Sequence, residues 1–185
     1  YQIRIFTPNT ELPFAGHPTL GSAHAWLEAG GVAQDSNMII QQCAAGLVRI
    51  RRDGNRLAFA APPLIRGGDV ASEDLSEIMA FLGVNHDQVV AAQWADNGPG
   101  WVAVLLASAE AVLAVRRPVT LDLDIGVTGP YPAGSPEAIE VRAFSPKITS
   151  IEDPVTGSLN ASLGQWLLES GRVSAPYVAS QGTAM

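Results

Sequence analysis

The chain has 185 residues, 47% of them hydrophobic and 16% charged, and its formal net charge at pH 7 is −7. This hydrophobic fraction supports a packed core in one ordinary domain or in two small ones. Because 11 Lys and Arg residues stand against 18 Asp and Glu residues, the chain lacks the basic surface that a nucleic-acid backbone requires, and we expect no nucleic-acid partner.

The first part of the chain predicts one helix among several short strands. Pro18 suits the first turn of a helix and Gly30-Gly31 suits its end, so we predict a helix over residues 18–29. The letters RDGN at 52–55 are typical of a hairpin turn. Alternation predicts strands at 2–6, 37–42, 46–52 and 56–61, with a loop at 7–13.

The clearest break in the chain is Pro62-Pro63 followed by Gly67-Gly68, and we place a domain boundary there. The predicted half-domains are therefore residues 1–63 and 64–185. In the second half, we predict helices at 72–82 with Ser72 as N-cap, at 109–115 and at 154–169, and strands at 88–94, 101–106, 121–128, 138–144 and 173–179. Short strands in runs with few helices predict an α+β fold with mixed or antiparallel sheets.

The cysteine content and the apolar runs limit the cellular context. Cys43 is the only cysteine, which excludes a disulfide framework and a zinc site built from several cysteines. No signal peptide is recognisable, and the longest apolar run, residues 101–107, is too short to cross a bilayer. We therefore expect a cytoplasmic protein with no membrane partner.

Two segments of the chain resemble each other. The first reads RIFTP at 4–8 and HPTLGS at 17–22, and the second reads RAFSP at 142–146 and DPVTGS at 153–158. Both fit R-x-F-[ST]-P and then X-P-x-x-G-S ahead of an amphipathic helix, where X is His17 in one copy and Asp153 in the other. Matched frames with unmatched polar residues predict two half-domains that face each other across a cleft.

The repeated motif has a definite chemistry in this interpretation. The proline fixes the first helical residue, so X lies at or beside the N-cap, where first-turn N–H groups lack acceptors and the helix dipole is positive. Two such helix starts would hold a small carboxylate, with hydroxyls offered by Ser22 and Ser158. His17 and Asp153 would then transfer a proton near neutral pH without a cofactor or metal.

Each of these residues also has a structural interpretation. Asp153 could be an ordinary N-cap, His17 a structural hydrogen-bonding group, and Ser158 a solvated first-turn residue. For His24, a position on the helix face is simpler than a metal ligand, and for Glu11 a loop contact is simpler than a second base.

Two of three further features favour a structural interpretation, and the third is left open. An exposed strand face explains Asp122 and Asp124 more simply than a metal site, and Cys43 is expected to be a small buried hydrophobic residue. Residues 97–100 are either an ordinary turn or part of the cleft lining.

The segments at 4–8 with 11–18, and at 144–146 with 152–158, resemble the two signatures of the PhzF-like family of phenazine biosynthesis, which shares the diaminopimelate-epimerase fold. The resemblance implies two pseudo-symmetric halves, each a mixed barrel-like sheet around a central helix, with the active site between them and both halves incomplete here. It implies cofactor-independent isomerisation of a small cyclic carboxylic acid by proton transfer, and a homodimer. By motif, His17 and Asp153 are the catalytic positions, and Gly16, Gly157 and Ser158 are the substrate-binding positions.

The resemblance also implies that part of the machinery lies elsewhere. Family members carry a catalytic Glu in a segment that corresponds to chain before Tyr1, so we expect this chain to be the middle of a longer enzyme and to be inactive or nearly so alone. A racemase with two catalytic thiols is disfavoured because neither motif contains cysteine. The alternative is a non-catalytic small-acid-binding or assembly module, which a genuine start near Tyr1 would favour.

Overall fold

The computed structural model describes residues 1–6, 11–116, 122–145 and 152–185. The helices are α1 (Gly16–Glu28), α2 (Ser72–Leu82), α3 (Ala109–Ala114) and α4 (Gly157–Glu169), with a short 3-10 helix at His86–Gln88. The strands are β1 (Ile5–Phe6), β2 (Glu11–Leu12), β3 (Met38–Cys43), β4 (Gly46–Asp53), β5 (Arg56–Phe59), β6 (Val89–Trp94), β7 (Trp101–Leu106), β8 (Asp124–Pro130), β9 (Ile139–Phe144), β10 (Glu152–Asp153) and β11 (Ala179–Gln181). Thr7, Pro8, Leu121 and Pro146, which belong to predicted motifs and strands, lie outside the described residues.

The first compact unit is Tyr1–Ala61, and its centre is a three-stranded antiparallel meander of β3, β4 and β5. Strand alternation turns Ile39 and Ile50 to one face, where they pack on Ala23 of α1 in a small core. Trp26 lies at the margin of this core and stacks on Tyr1 with ring centroids 4.9 Å apart.

The second compact unit is Pro62–Met185, built on a six-stranded sheet in the order β10-β9-β8-β7-β6, with β11 beside β9. The β7–β8 and β9–β11 pairs are parallel, and the other pairs are antiparallel, so the sheet is mixed. Because β8 occupies one edge of β9, β10 and β11 follow one another along its other edge. Asp153 there pairs with Ala143, and Gln181 pairs with Val141.

This sheet is buried on both faces, which explains why β7 is apolar throughout. Val102, Val104 and Leu106 form a core with α2 and α3 on one face. On the other face, α4 packs on Trp101, Ala103 and Leu105 through a second set of side chains: Leu159, Leu163, Trp166 and Leu167.

The predicted α+β class with mixed sheets is confirmed, whereas several boundaries differ. The loop predicted at 7–13 contains β2, the short strand β10 was not predicted, and the final strand lies at Ala179–Gln181 rather than at 173–179. Ser72 is the first residue of α2, and Ala71 is its N-cap. Within the described part of the chain, the edge strands β10 and β6 are not paired with each other, so the sheet is open.

The two compact units divide at Ala61/Pro62, inside the proline-rich break. The assignment of residues 1–63 and 64–185 to two half-domains stays a prediction. None of the helices in the described ranges is long and apolar enough to cross a membrane.

Candidate active site

Each unit contains a strand–turn–helix motif that has the same layout as one in the other unit. In the first unit, β2 begins at Glu11, pairs antiparallel with β1 and is followed by α1. In the second unit, β10 begins at Glu152, pairs antiparallel with β9 and is followed by α4. The separation from Glu11 to Gly16, which starts α1, equals the separation from Glu152 to Gly157, which starts α4. The predicted repeat is therefore real.

The register predicted for this repeat is nevertheless wrong. When the strands and helices are matched, His17 corresponds to Ser158 and not to Asp153, since each is the second residue of its helix. Pro18 is the third residue of α1, whereas Pro154 lies in the turn before α4. The two X-P-x-x-G-S matches therefore lie at different positions relative to their helices. The letters alone did not reveal this, because they do not show which strands pair.

Each motif contains an Arg–Glu ion pair that ties the two strands together. In the first unit, Arg4 Nη2 lies 2.8 Å from Glu11 Oε2, and the hydrogen bond and charge of Arg4 lower the pKa of the Glu11 carboxyl. The loop contact predicted for Glu11 is thus present. In the second unit, Arg142 Nε lies 2.8 Å from Glu152 Oε1 in the interior. These pairs fix the strand that leads into each helix.

Neither helix start has a side-chain cap, and the predicted placement of His17 and Asp153 at or beside the N-caps is wrong. The N-caps are Ala15 and Thr156, and neither accepts a hydrogen bond from the helix through its side chain. Helix geometry leaves the first N–H groups of α1 and α4 without an acceptor inside the helix. Both starts therefore present donors and a positive dipole end to an anion.

The start of α1 carries the first two predicted positions. Gly16 is buried, and His17 is exposed, so its imidazole is accessible to a ligand. Thr19 N donates to Ala15 O at 3.1 Å and begins the helical hydrogen bonding. Pro18 contributes no N–H, so the backbone donors at this end are those of Gly16 and His17.

The start of α4 is held by a network around Asp153, which is half-buried on β10. The Thr156 hydroxyl donates to Asp153 Oδ2 at 2.7 Å, and Val155 N approaches Oδ1 at 3.4 Å. Gln181 Nε2 donates to the Asp153 carbonyl oxygen at 2.8 Å and to Thr156 Oγ1 at 2.9 Å. The turn that carries the carboxylate is therefore hydrogen-bonded to the last strand.

The hydroxyl of Ser158 is fixed by a buried indole. Trp101 Nε1 donates to Ser158 Oγ at 2.9 Å, and Asn97 Nδ2 donates to the Ser158 carbonyl oxygen at 2.9 Å. Because Oγ accepts from Trp101, the Ser158 hydroxyl can use its own hydrogen to donate. Asn97, in the turn at 97–100, thus contacts Ser158, whereas the alternative that this turn lines a cleft stays a prediction.

Three other expectations have clear outcomes. His24 is exposed on α1, and Cys43 is buried with its thiol 3.6 Å from the Gly46 carbonyl oxygen, as predicted. The exposed strand face predicted at Asp124 is wrong, because this residue is 1% exposed and accepts a 2.7 Å hydrogen bond from Ser145 Oγ. Among the described ranges, no three His, Cys, Asp or Glu side chains cluster as metal ligands would.

The structure brings Asp153, Gly157 and Ser158 together at one end of α4, and it places Gly16 and His17 at the start of α1. These two groups belong to different units, so a cleft shared by them stays a prediction. Sequence reasoning did not identify four residues that hold the second group: Trp101, Thr156, Asn160 and Gln181. Trp101 and Gln181 form hydrogen bonds with residues that are distant in sequence, and no local sequence pattern indicates such contacts.

The fold is that of known PhzF-type and epimerase-type proteins. A PhzF-family phenazine biosynthesis protein from Enterococcus faecalis aligns with a TM-score of 0.78 and 23% identity, over 99% of this chain and 66% of that one. A structure described as a predicted epimerase from Pseudomonas aeruginosa aligns with a TM-score of 0.71 and 21% identity, over 98% of this chain and 67% of that one. These likenesses show a shared fold.

The chain belongs to the phenazine biosynthesis-like (PhzC-PhzF) family, whose model matches residues 1–185. "Antisense-enhancing sequence 1" of Schizosaccharomyces pombe is 35% identical over 204 aligned residues, covering 100% of this chain and 68% of that protein. The trans-2,3-dihydro-3-hydroxyanthranilate isomerase of Pseudomonas fluorescens is 31% identical over 92% of this chain and 61% of that protein. The family thus contains named isomerases, and this chain spans 61–68% of the length of these two relatives.

Proposed function

We propose that this chain is part of an isomerase that moves a proton within a small cyclic or unsaturated carboxylic acid without a cofactor. Relatives named as isomerases of trans-2,3-dihydro-3-hydroxyanthranilate support this substrate class. The proposal includes the homodimer that the resemblance implies. Analytical sedimentation of the full-length protein measures this oligomeric state.

In this proposal, the two helix starts serve one substrate. The N–H groups of Gly16 and Gly157 and the hydroxyl of Ser158 bind its carboxylate, where the helix dipoles favour negative charge. His17 and Asp153 transfer the proton, because an imidazole and a carboxylate can act as general acid and base near neutral pH.

One observation carries the proposal: both helix starts lack a side-chain cap in a chain whose family contains named isomerases. Thr156 would ordinarily cap α4 by accepting a first-turn N–H at its hydroxyl oxygen, but that oxygen accepts from Gln181 Nε2 instead, and the hydroxyl donates to Asp153. This use of the hydroxyl keeps the backbone donors available for an anion and holds the carboxylate in place.

The test is proton exchange in deuterated water, followed by proton NMR on the full-length protein with trans-2,3-dihydro-3-hydroxyanthranilate as the probe. Replacing His17→Ala or Asp153→Asn should slow exchange at least 100-fold, a typical contribution of one acid–base group. His24→Ala is the matched control, since His24 is also exposed on α1 but lies outside the motif.

Unchanged exchange in both variants would refute the assigned roles. Binding of the probe by the full-length wild-type protein with no exchange at any pH would instead favour a non-catalytic small-acid-binding module.

A further inference from the structure

We propose that Gln181 is a positioning residue, which acts through the Thr156 hydroxyl to hold the Asp153 carboxylate in one rotamer with Oδ1 as the proton-transferring oxygen. This inference rests on the proposed function of Asp153. It is carried by hydrogen bonds within the second unit.

The orientation of the Gln181 amide is determined by its two backbone partners. Nε2 lies 2.8 Å from the Asp153 carbonyl oxygen, which can only accept, and Oε1 lies 3.2 Å from Thr156 N, which can only donate. A flipped amide would place donor against donor and acceptor against acceptor. The second hydrogen of Nε2 is therefore directed at Thr156 Oγ1, 2.9 Å away.

This contact sets the direction of the next one. Thr156 Oγ1 accepts from Gln181, so its hydrogen is available for Asp153 Oδ2 at 2.7 Å, and a carboxylate can only accept it. The relay runs one way, from the amide through the hydroxyl to the carboxylate. Hydrogen bonds that are linked in this way strengthen one another.

Gln181 is itself held firmly. Asn160 Nδ2 donates to Gln181 Oε1 at 2.7 Å and to the Thr156 carbonyl oxygen at 3.0 Å, which ties the amide to the first turn of α4. The backbone of Gln181 pairs with Val141 on the same edge of β9 on which Asp153 pairs with Ala143. The sheet register thus places the glutamine beside the turn that it holds.

The two oxygens of Asp153 are consequently unequal. Oδ2 receives a short bond from a hydroxyl, whereas Oδ1 has a long 3.4 Å approach from Val155 N. Because Oδ2 is occupied by the hydroxyl bond, Oδ1 is the oxygen left available to the substrate, and the proton transfers there. Loss of the hydroxyl bond would free the Asp153 side chain to leave its χ1 rotamer, and rotation of the carboxylate about χ2 would then exchange the two oxygens.

The experiment compares Thr156→Val, Thr156→Ser and Gln181→Met in the full-length protein. Side-chain three-bond J couplings of Asp153 report its χ1 rotamer without any need for turnover. We expect one rotamer in the wild type and in Thr156→Ser, and averaged couplings in Thr156→Val and Gln181→Met. With trans-2,3-dihydro-3-hydroxyanthranilate, kcat should fall roughly 10- to 100-fold in the latter two, with KM changed less than about twofold, as for a misplaced catalytic group.

Gln165→Met is the matched control. Gln165 is also a half-buried glutamine of the second unit, and its amide donates at 3.0 Å to the Pro62 carbonyl oxygen, away from Asp153. The Gln165→Met substitution should leave the Asp153 couplings, kcat and KM unchanged. A single Asp153 rotamer in both Thr156→Val and Gln181→Met would overturn the inference, even if wild-type turnover confirms the proposed function. If the two variants show averaged couplings but the wild-type protein shows no turnover, the positioning role of Gln181 is confirmed and the isomerase role is refuted instead.

Discussion

At the scale of single residues, the same ion pair occurs in two environments. The side chains of Arg142 and Glu152 are 5% and 2% exposed, whereas those of Arg4 and Glu11 are 70% and 35% exposed. The buried guanidinium also donates to three carbonyl oxygens at the end of α3, at 2.7 Å, 3.2 Å and 3.4 Å. Only the buried pair is shielded from water and salt, so the two should differ in energy.

We predict that Arg142→Met destabilises the protein by about 3–5 kcal/mol, because it removes the buried guanidinium that balances the charge of the Glu152 carboxylate. Urea unfolding followed by tryptophan fluorescence measures this loss. Arg4→Met is the matched control and should leave the unfolding midpoint nearly unchanged. Equal effects of the two substitutions would show that burial does not govern the strength of this pair.

At the scale of elements, two glycines have opposite surroundings. Gly126 lies in β8 directly beneath α4, where an added Cβ would lie 2.2 Å from Leu159 Cδ1. Gly21 lies inside α1, and among the described residues no atom beyond its chain neighbours and the backbone of α1 would come within 4 Å of its added Cβ. The first glycine permits close packing of a helix on a sheet, and the second only weakens its helix.

We predict that Gly126→Ala lowers the free energy of unfolding by about 1–3 kcal/mol through overpacking against Leu159. Gly21→Ala should raise it by about 0.5–1 kcal/mol, since alanine is the better helix former. Thermal and urea unfolding of both variants measure these changes in the free energy of unfolding. A neutral Gly126→Ala would mean that α4 can move away from the sheet at little cost.

At the scale of the whole molecule, all three tyrosines of the chain have a pKa above the usual value. Burial raises the pKa of Tyr1 and of Tyr177, and the hydrogen bond to the Glu140 carboxylate is the main cause for Tyr131. Above about pH 10, where an unfolded tyrosine ionises, the folded chain therefore binds more protons than the unfolded chain. Stability must fall as the pH rises through this window.

We predict that the urea midpoint decreases steadily above about pH 10, and less so in Tyr177→Phe. Ultraviolet titration of the folded protein should give tyrosine midpoints above that of the same chain in concentrated urea. Coincident titrations of the folded and denatured protein would contradict this prediction.

Much of the fold could be predicted from local sequence. The Gly30-Gly31 end of α1 and the turn at 52–55 are local signals, and the structure has α1, β4 and β5 beside them. The strands β2 and β10 could not be predicted, because each has only two residues, too few for alternation to show, and exists only through pairing with the strand before it. The start of α4 was misplaced for a related reason, since a proline suits a turn as well as a first helical residue.

The candidate site was predictable only in part. His17 and Asp153 were singled out as titratable side chains in a repeated motif, although the repeat was matched in the wrong register. Trp101 and Gln181 escaped notice because nothing in an isolated Trp or Gln distinguishes a hydrogen-bonding support from an ordinary residue. Such contacts depend on sheet register, which pairing at long range decides.

The position of Gln181 along the chain has a consequence for biosynthesis. Asp153 is translated 28 residues before Gln181, whose amide holds the turn that carries Asp153. During translation, the Asp153 carboxylate is therefore at first without this hydrogen-bonded support. Maturation of this part of the candidate site therefore has to wait until β11 has left the ribosome and joined β9.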